Sequence, residues 1–226
     1  AERTLLAFPP LRVAAKRYKQ CHKTMNKELI INAFERLQKC NSVSEVDNIL
    51  DYFKIEQRDR IDENKYPKID FTITASEIET LEKSGVISQG RIILDDKMLE
   101  NTLVKLLYAL SWKNADLHKI HHIIKGIKNV EIDAKSTGLV FYNYGKFLSK
   151  KEPLIDQHVI RAFAIFKNKQ DTKITEISYK QVHLIDEYKD WLNRNITENL
   201  KSDPNYLYHI DKLLFALGKA YKRHSL

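Results

Sequence analysis

The chain is poor in the residues that build stapled, turn-rich or metal-clasped folds: its 226 residues include 2 Cys, 6 Gly and 5 Pro. The cysteines, Cys21 and Cys40, form no CxxC pair. That count excludes a four-cysteine zinc site, implies no disulfide framework and suits a reducing compartment. So few glycines and prolines argue against long flexible linkers and against a many-stranded sheet joined by tight turns. No apolar run approaches the roughly 20 residues of a membrane-spanning helix. Arg12, Lys16, Arg17 and Lys19 interrupt the apolar residues near the start, which is not a signal-peptide pattern. A cytoplasmic location without membrane association is expected. The chain also lacks a phosphate loop, a dinucleotide fingerprint, a Gly-x-Ser-x-Gly elbow, internal repeats and low-complexity tracts.

What is present is charge and helical periodicity. Lys and Arg number 38 against 30 Asp and Glu, a net charge of +8. Such a field favours polyanionic partners such as nucleic acid or an anionic membrane surface, although many helical proteins are this basic without one. An apolar fraction of 43% is enough for a real core. Residues 1–24 are basic and lose clear periodicity after Pro9-Pro10; they read either as an N-terminal arm or as an appended segment ahead of Met25. Residues 25–226 read as a single helical domain.

Apolar residues at Leu29, Ile30, Ala33, Phe34 and Leu37 predict a helix over 27–40 with one buried face. Ser42 and Glu45 form a candidate capping box for a second helix. Alternation over 68–74 predicts a short strand, pairing with another at 91–94. Ser76 is the expected cap of a helix ending at Gly85. Leu99, Leu103, Leu106, Leu107 and Leu110 predict a core helix over 97–112. Asn114 or Asp116 is expected to cap the next helix, which runs to Gly126, and further helices are predicted from Lys135 to Ser149 and from Asp156 onward. Two C-terminal helices follow, the last closing at Gly218. The fold class expected is mostly α, with at most one small β-hairpin.

Two segments carry a resemblance: Glu131-Ile132-Asp133-Ala134-Lys135-Ser136-Thr137 and Pro153-Leu154-Ile155-Asp156-Gln157-His158-Val159-Ile160-Arg161. Together they resemble the helix-hairpin-helix superfamily of DNA base-excision glycosylases, with a glycosylase-like core over 97–166. The resemblance implies a DNA partner, a catalytic carboxylate at Asp156, and a nucleophilic amine at Lys135. It further implies DNA contacts from Lys125, Lys128, His158 and Arg161, no cofactor and no metal. The chemistry is coherent on physical grounds. Breaking a glycosidic bond develops positive charge on the sugar, which a nearby carboxylate stabilises. A lysine amine can also attack the sugar carbon. An aspartate at a helix start stays ionised because backbone N–H groups and the helix dipole favour the anion, and for the same reason Asp156 also reads as a plain helix cap.

The chain departs from the family's pattern in the hairpin. Glu131 and Asp133 stand where relatives have glycines that let the backbone approach a DNA phosphate. The interval from Pro153 to Asp156 is one residue longer than usual, and two cysteines exclude the iron–sulfur subclass. His118, His121 and His122 share part of one helix but lack the acidic partner of a HExxH site, so they read as a polar face. The alternative to a glycosylase is a catalytically silent helical module that binds nucleic acid or protein. The damaged base and the oligomeric state stay open at this level.

Overall fold

The computed structural model describes residues 26–92, 102–114, 117–131 and 138–225. Ten α-helices and one two-stranded hairpin are found among them. In chain order these are α1 (Lys27–Leu37), α2 (Val43–Tyr52), α3 (Ala75–Lys83), β1 (Ile87–Ser88), β2 (Arg91–Ile92), α4 (Thr102–Lys113), α5 (Lys119–Ile127), α6 (Leu139–Lys150), α7 (Gln157–Asn168), α8 (Val182–Asn195), α9 (Glu198–Lys201) and α10 (Tyr206–Ser225). The mostly helical architecture matches the sequence pattern. No helix among the described residues is long and apolar enough to cross a membrane.

The core is organised around α7. Val159 through Ile165 are all buried, so this helix has no solvent face over two turns. It is enclosed by α1, α8 and α10. Phe34 of α1, itself fully buried, stacks on Phe166 at 4.3 Å between ring centroids and meets the edge of Trp191 from α8 at 5.1 Å. Burying an aromatic ring of this kind stabilises the fold by about 2–3 kcal/mol. Against α10 the approach is closer still. A Cβ built on Gly218 would stand 2.0 Å from the carbonyl oxygen of His158. Gly218 therefore marks a helix crossing rather than a helix end, and α10 continues to Ser225. The expected closure there confuses two uses of glycine, since both a C-terminal turn and a tight crossing select against a side chain.

A second, smaller apolar cluster joins Ile78 of α3, Ile87 of β1, and Ile124 and Ile127 of α5. Thr74, not Ser76, caps α3: its hydroxyl accepts from Glu77 N at 3.2 Å while Glu77 Oε2 accepts from Thr74 N at 2.7 Å. Ser42 does cap α2, accepting from Glu45 N, but the Glu45 carboxylate reaches Asn41 N instead of Ser42 N. The hairpin also differs from expectation. β2 pairs with β1, Ile87 opposite Ile92, through Gln89 and Gly90, both at positive φ; such a two-residue turn suits the twist of antiparallel strands. Residues 68–74 form no strand; Ile73 N–H is tied across, to Leu148 O at 3.0 Å.

The helix α4 is a further correction. Its leucines promise a core position; Leu99 and the Leu103 side chain lie outside the described residues, and Leu106, Leu107 and Leu110 are 65%, 51% and 58% exposed. Apolar spacing reports that a face is greasy, not that a neighbour exists to cover it.

Candidate active site

The site begins with how the chain enters α7. Lys150 ends α6, Lys151 turns through the left-handed region at φ 52°, and Pro153 forbids helix continuation. Asp156 is then extended (φ −128°, ψ 157°), its Oδ1 accepts from His158 N at 2.6 Å, and its carbonyl accepts the first helical bond from Ile160 N. The carboxylate, half-buried, thus lies at the positive end of a deeply embedded helix. Asp156 thus occupies the cap position of α7 that its place in the sequence predicts.

Arg161, expected at the surface as a DNA contact, is instead a buried residue of the core. The side chain is fully buried, one turn inside α7. Its Nε and one terminal nitrogen donate to Ile174 O, and the other terminal nitrogen donates to Gly218 O at 3.0 Å. The same nitrogen meets His158 Nδ1 at 2.7 Å. Arginine cannot accept, so Nδ1 must, which leaves the imidazole neutral with its proton on Nε2. Burial depresses the basicity of His158; Asp156 opposes that effect and Arg161 adds to it. The ring stands edge-on to Phe215 of α10 at 4.9 Å. Arg161 therefore pins α7, α10 and the chain near Ile174 together, and holds His158 in one tautomer.

A group that sequence patterning does not single out sits on the other side of the same turn. Asp211 of α10 is 5% exposed; its Oδ2 accepts from Leu154 N at 2.8 Å and its Oδ1 from the hydroxyl of fully buried Tyr188 at 3.4 Å. Burial pushes its carboxyl up to about 8, against the opposing pull of those two bonds. The signal is present in the sequence as a carboxylate among core positions of one helix, Ile210, Leu214 and Leu217. Nearby, Lys189 of α8 joins Glu152 at 2.5 Å and Asn143 Oδ1 of α6 at 3.1 Å.

Immediately before this turn lie α5 and α6, packed with no side chain between them at two points. A Cβ on Gly126 would lie 2.0 Å from Tyr142 O, and one on Gly145 would lie 2.1 Å from Ile123 O. That pairing, 123 with 145 and 126 with 142, makes the helices antiparallel. The expected hairpin tip, including Asp133 and Lys135, lies outside the described residues, as does Asp116. Gly138 instead opens α6 at φ 91°, where its missing Cβ makes room for the His122 ring. His118, not Asn114, occupies the cap position of α5, without a side-chain cap bond.

The lysines of this pair are only partly available. Lys128 is engaged with Glu82 of α3 at 2.8 Å. Lys119 and Lys146 lie over the rings of Phe141 and Tyr142. Lys125 is half-exposed, and Lys150 and Lys151 are exposed. The three histidines form no metal cluster; among the described residues no group of three or more His, Cys, Asp or Glu is placed to hold an ion. Burial, followed by the charges of His121, Lys125 and His118, keeps His122 less basic than usual.

The distribution of charge is uneven. Residues 1–24 hold 6 of the 38 Lys and Arg but 1 of the 30 Asp and Glu, which leaves the remaining chain at +3. Within that remainder, residues 119–151 contain 7 lysines and 2 acids, a net +5, so everything else from 25 onward sums to −2. The segment over 119–151 is thus basic in composition, and the rest of the chain from 25 onward is faintly acidic.

Beside this segment is a cavity of about 430 Å³ between α6 and α8, whose lining includes Glu131, Tyr142, Asn143, Tyr179 and Lys189. Its lining also includes Leu139 and does not include Asp156. Comparison of the chain with protein-family models, with curated proteins and with solved structures returns no match.

Proposed function

We propose that the protein is a divergent helix-hairpin-helix DNA-binding protein of the base-excision glycosylase type. The observation that carries this reading is a succession: a close-packed, antiparallel basic helix pair, a proline turn, and then an embedded helix capped by Asp156. In this reading the basic segment over 119–151 meets the phosphates electrostatically, because acidic residues at Glu131 and Asp133 replace the glycines of a backbone phosphate grip. The extruded nucleotide is held with its sugar near the Asp156 carboxylate, which stabilises positive charge as the base departs. Tyr142, Tyr179 and Asn143 around the neighbouring cavity supply stacking and hydrogen-bonding groups suited to a flipped base. Lys135 is the amine that attacks the sugar carbon. It displaces the base and forms a Schiff base that borohydride reduces to a stable adduct.

The test is borohydride trapping on duplexes that contain an abasic site or an oxidised guanine. A covalent adduct that Lys135→Ala abolishes, and whose formation from the damaged base Asp156→Asn slows by about 100-fold or more, supports the reading. Salt-sensitive DNA binding without any adduct favours the second reading, a catalytically silent module; the acidic hairpin residues are the observation that favours it. Absence of binding at low salt overturns both.

A further inference from the structure

The turn that delivers Asp156 is held from a distant part of the chain. Residues 151–156 contain one left-handed residue and one proline, so few regular backbone bonds define their path. One of the bonds that does is Leu154 N–H to Asp211 Oδ2, 2.8 Å, made 57 positions away in sequence. Leu154 is separated from Asp156 only by Ile155, which is 2% exposed and locked in the core. A shift of Leu154 must therefore be passed to the cap. Asp211 is itself fixed: it sits in the second turn of α10, buried beside core residues Ile210 and Leu214, with Tyr188 of α8 donating to its second oxygen.

We propose that Asp211 is the positioning residue of the Asp156 site, setting the path of 153–155 and with it the direction of the Asp156 carboxylate. The proposal rests on reading Asp156 as functional, but its structural content stands apart from any activity. A hydrophobic residue would fill the same space more cheaply than a buried carboxyl. What the carboxyl adds is an acceptor aimed at one backbone N–H of an otherwise irregular turn. The acid also brings a switch. The titratable groups that act on Asp211 are the hydroxyls of Tyr188 and Tyr206, and no ion pair among the described residues includes it. With nothing to neutralise the anion, ionisation in mildly alkaline solution loads the buried turn with an unpaired charge.

Two variants and two readouts test this on the full chain. The readouts are amide hydrogen exchange at Leu154 and the carboxyl ¹³C titration of Asp156, neither of which needs DNA. Asp211→Leu should speed Leu154 exchange about tenfold or more and displace the Asp156 titration curve. Asp211→Asn, whose amide oxygen still accepts, should restore both at neutral pH. The wild type should in addition show a step in both readouts near pH 8 that Asp211→Asn lacks. That arm decides the matter if the leucine variant does not fold. Unchanged exchange and titration in a folded Asp211→Leu, or a step that persists in Asp211→Asn, overturns the proposal. Failure of borohydride trapping while these shifts appear overturns the glycosylase reading and leaves the positioning role standing.

Discussion

The Asp156-capped helix α7 and the basic pair α5–α6 are neighbours in sequence, yet they spend their polar groups in opposite ways. At the start of α7 the charged atoms turn inward: Arg161 is consumed by Ile174 O, Gly218 O and His158, and the Asp156 Oδ1 is consumed by its own helix. In α5–α6 the close approach is made by glycines, and Lys150 and Lys151 at the end of the pair are exposed. A site that holds one group still and attracts a polyanion needs both behaviours. Rigidity comes from satisfied buried polar groups, and reach comes from solvated ones.

Substitutions can break that contrast, and the largest effect should come from its buried side. Arg161→Ala removes the donors of two backbone carbonyls and one imidazole, and urea melts should show a loss of about 3–5 kcal/mol. If Arg161 served DNA instead, stability would hardly change while affinity fell. Next, Gly126→Ala and Gly218→Ala each drive a methyl into a backbone carbonyl and should cost about 2–3 kcal/mol, despite alanine's better helix propensity.

A pH effect comes next. The Asp211 carboxyl is raised to about 8 from an ordinary 3.8, so between those values the folded state keeps a proton that the unfolded state has released. Its contribution to stability is complete at low pH and declines as pH rises through that window. Thermal melts of wild type against Asp211→Asn should diverge accordingly, the wild type losing ground from about pH 4 to about 8. Smallest of all in stability should be Glu substitutions at Lys125, Lys150 and Lys151, about 0.5 kcal/mol or less each.

The amino-acid pattern made some of this legible and hid the rest for definite reasons. The cap at Asp156 and the buried faces of α1 and α7 follow from local chemistry: a short acceptor before a helix, and apolar residues at helical spacing. The roles of Asp211 and Arg161 stay hidden because a lone charge in an apolar helix looks alike whether it reaches solvent or a partner 57 residues off. The exposed leucines of α4 err the other way, since periodicity names a face without naming its cover. Gly126, Gly145 and Gly218 carry information that appears only once the opposing carbonyls are in place.

The most direct measurement is the salt dependence of binding to a duplex containing an abasic site, wild type against the triple variant Lys125→Glu, Lys150→Glu, Lys151→Glu. Wild-type affinity should fall linearly in logarithmic coordinates as salt rises. The slope should be shallower in the variant by up to about 0.9 for each phosphate that the substituted lysines no longer neutralise. A wild type that does not bind at low salt, or a variant with the same affinity and slope, would contradict it.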